Sequence, residues 1–402
     1  MRSRSIVGQA LAASLSPSDP RAHTKAAVGS NAPEELVGLG RMAAFHGIQG
    51  YVHVATKALP QVPRSEHEHL ATLHKDVVLR HLRTLADLAY LEDNLRSAGI
   101  PWLVIKGPTL AEPVHGAVEL RSYGDLDVLV PPAHLAHAMD ALEASGSVVV
   151  DRNWTLIHQE MKGEVHLQLP SGTALDLHWH LFNDPQRRQR FPVSVDDLFA
   201  RSRMVSIGER SVRTLSFTDT VVYVALHTMH SGADRLIWLK DIERLLAHED
   251  CAPNEVVKRS RQWQAELVVV SAIRRAQLAL PMPQQAQTIR SASRGYRAWI
   301  SASSWAWSRS PAEEEDGGGS LGRIFARSAR RTSPESFFEL GRRSVAHLRS
   351  RRTGEGDPPR SFAADDPRSS LYESGGPARR EGFLRAVGRA SEHRITAPLP
   401  RE

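Results

Sequence analysis

Apolar residues recur every three to four positions between Ser65 and Ser97, at Leu70, Leu73, Val77, Val78, Leu82, Leu85, Leu88, Leu91 and Leu95. That spacing predicts one long amphipathic helix, ended by Gly99. Upstream, Pro33-Glu34-Glu35-Leu36 has the proline and acids of a helix start, so residues 33–99 read as a helical segment. Residues 1–32, rich in Ser, Ala and Pro, read as a flexible leader; its apolar run is broken by Gln9 and too short for a signal peptide.

Past Gly99 the pattern shortens. Pro101-Trp102-Leu103-Val104-Ile105 predicts a buried strand running into a Lys106-Gly107-Pro108 turn, with a short helix over 109–115. Asp125-Leu126-Asp127-Val128-Leu129-Val130 predicts a second strand, a helix follows over 133–145, and Val148-Val149-Val150 predicts a third strand. Residues 164–169 and 173–181 predict a hairpin turning at Pro170-Ser171-Gly172. After Phe191 the period returns to helical, with runs from Thr218, over Leu236–Leu246 and over Glu255–Leu280. The expected organisation is therefore a leader (1–32), a helical segment (33–99), a mixed α and β core (100–192), a helical subdomain (193–308) and a linker with a largely disordered Arg-rich tail (309–402), within which 321–350 has the pattern of one basic helix.

Charge sharpens this division. The 402 residues have a net charge of +6, but residues 321–402 alone hold 17 Arg against 10 acids. The body is close to neutral, which argues against a broad nucleic-acid surface and leaves at most a short RNA contact through the tail. A single cysteine, Cys251, excludes a disulfide framework and a multi-cysteine zinc site. No apolar run is long enough to cross a membrane. The expectation is a reduced, cytoplasmic protein.

The candidate chemistry sits on the strands. Side chains alternate faces along a strand, so Asp125 and Asp127 share one face while Leu126, Val128 and Val130 share the other. Two neighbouring carboxylates repel, and a divalent cation relieves the repulsion; hard oxygen donors suit Mg²⁺ with phosphates. In Leu175-Asp176-Leu177-His178-Trp179-His180, Asp176, His178 and His180 share a polar face. If this strand lies beside that of Asp125 and Asp127, three carboxylates converge and suit two Mg²⁺ ions, with Asp176 a ligand to the second and a candidate base. Gly107 would let phosphate approach the backbone, Lys106 would supply a point charge, and Gly124 and Arg121, just ahead of Asp125, are further phosphate-binding candidates. His178 and His180 are expected to orient Asp176 or contact phosphate; the competing reading is a zinc site with His158 or His166. Asp241, in a strongly apolar helical pattern, is expected to hold a buried Arg or Lys. No Gly-x-x-x-x-Gly-Lys-Ser/Thr loop and no Gly-x-Ser-x-Gly turn occur.

Three ordered motifs, Val104-Ile105-Lys106-Gly107-Pro108-Thr109-Leu110, Leu120-Arg121-Ser122-Tyr123-Gly124-Asp125-Leu126-Asp127-Val128-Leu129-Val130 and Leu175-Asp176-Leu177-His178-Trp179-His180-Leu181, resemble the uncharacterised nucleotidyltransferase family of bacteria, within the DNA polymerase β-like nucleotidyltransferase superfamily. Phe217-Thr218-Asp219-Thr220-Val221-Val222-Tyr223 and Arg235-Leu236-Ile237-Trp238-Leu239-Lys240-Asp241-Ile242 fit the same family, so the likeness runs over roughly residues 35–282. The resemblance implies an α+β fold with a small mixed sheet, Asp125 and Asp127 as the metal-binding pair and Asp176 as the third acid. One departure is that Lys106-Gly107 stands where the superfamily has Gly-Ser. The activity implied is transfer of a nucleoside monophosphate from an NTP with release of pyrophosphate; no acceptor follows from the resemblance, and the near-neutral body favours a hydroxyl-type acceptor that is a small molecule, peptide or protein. The alternatives are a kinase-like γ-phosphoryl transferase on the same site and a non-catalytic regulator of a biosynthetic complex.

Overall fold

The computed structural model describes residues 5–29, 32–292, 294–308, 310–313, 321–353, 364 and 366–390. The Gly-rich part of the expected linker, 314–320, and residues 391–402 of the expected tail lie outside the described residues. The fold is α+β, with a single seven-stranded mixed sheet among the described residues. None of the described helices is long and apolar enough to cross a membrane.

The chain divides into two compact units that interleave along the sequence. The helical unit comprises the described residues of Met1–His81, Leu110–Tyr123 and Phe217–Asp357; the sheet unit comprises those of Leu82–Thr109, Gly124–Ser216 and Pro358–Glu402. Consecutive domains were the expectation, because local periodicity carries no information about which distant segments pack together.

In the helical unit, Phe217–Ser231, Leu236–Ala247 and Glu266–Ala279 bury most of their residues, and Leu236–Ala247 buries Lys240, Asp241 and Glu243 along with its apolar side chains. Its N-terminal part is also packed. Ile6–Ser14 and Pro20–Val28 are helices, capped by Ser5 and Asp19, and Leu11, Leu15 and Val28 are fully buried. The expected flexible leader is therefore helical over these residues, since its small alanines allow close helix contact.

The sheet unit contains β1 (Leu103–Val104), β2 (Asp125–Leu129), β3 (Val148–Val149), β4 (Glu164–Gln168), β5 (Ala174–His178), β6 (Arg203–Ile207) and β7 (Arg210–Thr214), in the order β3-β4-β5-β2-β1-β7-β6. The pairs β2–β5 and β1–β7 are parallel and the others antiparallel. Leu126, Val128, Leu175, Leu177, Val165 and Leu167 enter one core with Leu88, Leu91 and Leu95 of the long helix Arg64–Ser97 and with Leu135, Met139 and Leu142 of Leu135–Ala144. Each such side chain contributes roughly 1.5–3 kcal/mol on burial. The β6–β7 hairpin departs from the all-helical expectation after Phe191. Its inward Val205, Ile207 and Val212 alternate with polar residues, and Gly208, at φ +56°, makes the turn.

The Arg-rich tail also departs from expectation. Gly376–Ala390 is a helix whose Phe383 and Val387 are fully buried in the sheet unit's core. The Phe383 ring lies 6.1 Å from that of Trp154, and Arg380 pairs with Glu143. Ahead of it, Asn153 Nδ2 donates to the carbonyls of Pro367 and Ser369 at 2.8 and 2.9 Å. Arginine composition obscured a 383/387 apolar stripe at helical spacing. Phe383→Ala should therefore lower unfolding stability by about 3–5 kcal/mol, read as a shift of the urea midpoint. A dispensable tail would leave the midpoint unchanged within about 0.5 kcal/mol.

Candidate active site

The polar face of the sheet is built by register. On the parallel pair, Asp127 lies opposite Asp176; on the antiparallel neighbour, His166 lies opposite Asp176 and Glu164 opposite His178. Asp125, Asp127, Asp176, His178, Glu164 and His166 therefore share one face, while the alternate residues fill the core. Lys106 follows β1, whose continuation at Ile105 still donates its N–H to the Asp127 carbonyl at 3.1 Å. The Lys106 Nζ lies 2.9 Å from Asp127 Oδ1. Gly107 has φ +67°, a left-handed conformation that suits glycine, and the helix Pro108–His115 begins at the next residue. Gly124 immediately precedes β2.

Asp127 is fully buried. Its Oδ1 meets both Lys106 and His178 Nε2, the latter at 3.1 Å, whereas its Oδ2 is buried without a hydrogen-bond partner. Burial acts to raise the Asp127 pKa, but Lys106 and His178 outweigh it and hold the group below the usual carboxylate range. Asp176 has the opposite balance: burial and the facing Asp127 push it up to about 7. Asp125 is also raised, first by burial and then by Asp127. His178 Nδ1 lies 3.1 Å from Glu164 Oε2, at an ion-pair distance rather than in hydrogen-bond geometry. Asn183 Nδ2 donates to Glu164 Oε1 at 2.6 Å. Burial opposes ionisation of Glu164, but His178 and His166 hold it down to about 2. Burial likewise opposes a charge on His166, yet Asp151 and Glu164 lift it to about 11; its Nδ1 is 3.0 Å from both Asp151 oxygens.

This face thus concentrates carboxylates around few cations. Among the described residues, Asp127, Asp176 and His178 form a group whose ligand atoms lie within 4.8 Å of one another. The unpartnered Asp127 Oδ2 and the mutual repulsion of Asp127 and Asp176 both suit a divalent cation, so the donor set fits a metal.

The remaining expected residues are placed differently. His180 lies beyond the end of β5; its Nδ1 accepts from the Phe182 N–H at 3.1 Å and its Nε2 lies 3.3 Å from the Val193 carbonyl. Burial lowers it to about 3, so it packs as a neutral imidazole. Arg121 belongs to the helical unit, where its Nε and one terminal nitrogen grip the two Asp241 oxygens at 2.7 and 2.9 Å. His115 Nε2 also meets Asp241, at 2.8 Å, and its Nδ1 lies 2.7 Å from the Tyr51 hydroxyl. Asp241 thus holds a buried arginine, the partner its sequence context called for. Glu164 and Asp151 had no part in the expected site. The alternation of Glu164 and His166 across the hairpin from Asp176 was the available signal; nothing local marked Asp151.

The family that the sequence matches makes this chain a transferase. The chain belongs to the uncharacterised nucleotidyltransferase family, whose model matches residues 34–281. No curated protein matches the chain.

The Arg121–Asp241 pair gives a measurable expectation for the helical unit. Asp241→Asn and Arg121→Met should each lower stability by about 3–5 kcal/mol, because each strands a buried charged or polar partner. The double variant should lose clearly less than the sum, as read in a chemical-denaturation cycle.

Proposed function

We propose that this transferase moves a nucleoside monophosphate from an NTP to a hydroxyl-type acceptor, a small molecule, peptide or protein, in a Mg²⁺-dependent reaction. The observation that carries the reading is the register pairing of Asp127 with Asp176 around an unpartnered carboxylate oxygen. Family membership supports nucleotidyl transfer as the general chemistry.

Asp125, Asp127 and Asp176 take the role of metal-binding acids. Two bound Mg²⁺ ions would polarise the α-phosphate and lower the pKa of the attacking hydroxyl. Lys106 brings a compact positive charge to a phosphate oxygen. Gly107 and Gly124, having no side chain, let an anion approach closely at the start of Pro108–His115 and ahead of β2. His178 keeps Asp127 oriented through Oδ1. The acceptor oxygen then bonds to the α-phosphorus, the bond from that phosphorus to the α,β-bridging oxygen breaks, pyrophosphate leaves with that oxygen, and Asp176, the candidate base, takes the hydroxyl proton. Arg121, held by Asp241 in the helical unit, is assigned no step in this scheme. The near-neutral body favours a small or protein acceptor over long nucleic acid.

The test uses NTPs labelled at the α or the γ position, incubated with the enzyme and a fractionated pool of metabolites and proteins. The expected result is α-label in a product, with pyrophosphate released and activity reduced by at least about 10²-fold in Asp127→Asn. Transfer of γ-label instead would establish the kinase-like chemistry. Transfer of neither would favour a regulatory binding module.

A further inference from the structure

We infer that His178 is itself a ligand of the cation, together with Asp127 and Asp176, and that this nitrogen donor makes the site take a first-row transition-metal dication in preference to Mg²⁺. The inference rests on the metal-dependent reading above and revises it in one respect: of the two cation positions proposed there, the one that His178 reaches takes the transition-metal ion rather than Mg²⁺, and His178 binds that ion instead of only orienting Asp127.

Three observations carry it. First, Asp127, Asp176 and His178 are the residues drawn together, with ligand atoms within 4.8 Å of one another. Donors about 2.1 Å from a shared ion sit roughly 3.0–4.2 Å apart, so binding closes the widest pair of the set by about half an ångström or more through side-chain rotation. Asp125, the acid needed for an all-oxygen trio, is not in that group. Second, His178 is held like a metal-ligating imidazole. Its Nε2 faces Asp127 Oδ1 at 3.1 Å, its Nδ1 faces Glu164 Oε2 at 3.1 Å, and Asn183 fixes Glu164 from the other side. Glu164 thus stands, at an ion-pair distance though not in hydrogen-bond geometry, on the side where a carboxylate supports the distal nitrogen of a histidine ligand. Third, Asp127 Oδ2 is buried and has no hydrogen-bond partner, so an acceptor in the group awaits a cation.

The chemistry follows from donor type. Mg²⁺ prefers oxygen ligands, retains several waters and gives up its hydration shell reluctantly. Imidazole nitrogen favours later first-row dications. The His178 side chain is only 5% exposed, so it is poorly placed to swing aside and leave a water in its place.

Mn²⁺ is the probe, added to the full chain and read by electron spin-echo envelope modulation, which detects a coordinated imidazole nitrogen without any turnover. The expected result is one tightly bound Mn²⁺ with nitrogen modulation. That modulation disappears in His178→Gln and persists in His166→Gln. Zn²⁺, better matched to imidazole, should displace Mn²⁺ at about equimolar concentration, whereas Mg²⁺ should do so only in excess, and His178→Gln should narrow the gap between Mn²⁺ and Mg²⁺. Glu164→Gln, which removes the support rather than the ligand, should weaken Mn²⁺ binding about tenfold. Bound Mn²⁺ without nitrogen modulation, or a nitrogen signal that survives in His178→Gln, overturns the inference. The wild-type spectrum decides the point even if a variant fails to fold. Nitrogen-free Mn²⁺ in an enzyme that transfers α-label defeats this inference and leaves the nucleotidyl reading standing; nitrogen-ligated Mn²⁺ in a protein that transfers no label does the reverse.

Discussion

The parallel pairing of β2 with β5 is the constraint on which the site depends. It sets Asp127 directly opposite Asp176, on a face where neither carboxylate is fully hydrated. Two such groups cannot both ionise freely, and the surrounding residues answer that conflict. Lys106 and His178 stabilise Asp127, while Asp176 is left with a raised pKa beside His166. Register produces this arrangement: a slip of one residue in either strand would send that strand's aspartate into the apolar core and bring its leucines out.

A second layer of polar residues surrounds that pair. Glu164 stands between His178 and Asn183, and Asp151 holds His166 through both carboxylate oxygens. The hairpin β4–β5 supplies most of this layer from adjacent positions. In the helical unit, Arg121, His115 and Tyr51 converge on Asp241 with every hydrogen bond at 2.9 Å or less. That network resembles the active face in composition but differs in balance, since Asp241 is fully matched by its partners. The contrast separates a structural charge cluster from a site with an orphaned oxygen.

Much of the sheet was legible in the sequence because two-residue alternation is a local signal. Leu126 and Val128 against Asp125 and Asp127, and Leu175 and Leu177 against Asp176 and His178, are visible without any tertiary information. Contact between His178 and Asp127 was not, because it depends on which strands become neighbours. The same limit applies to Arg121: proximity to Asp125 in sequence suggested phosphate, whereas its partner lies 120 residues further on. The β6–β7 hairpin escaped notice because its strands are short and carry few apolar residues, and the helix Gly376–Ala390 because arginines flank its two buried anchors. Composition averages over faces, and burial is decided face by face.

The account's central claim is that the acids of β2 and β5 form a cation-dependent nucleotide site. Thermal unfolding with ATP, GTP, CTP and UTP, each with and without Mg²⁺ or Mn²⁺, tests it most directly, in the wild type and in the Asp125→Asn/Asp127→Asn variant. The account predicts stabilisation by at least one nucleotide only when the cation is present, about 2.7 kcal/mol at a hundredfold excess over the dissociation constant, and its loss in the variant. Stabilisation that ignores the cation, or that survives in the variant, or that no nucleotide produces, would contradict it.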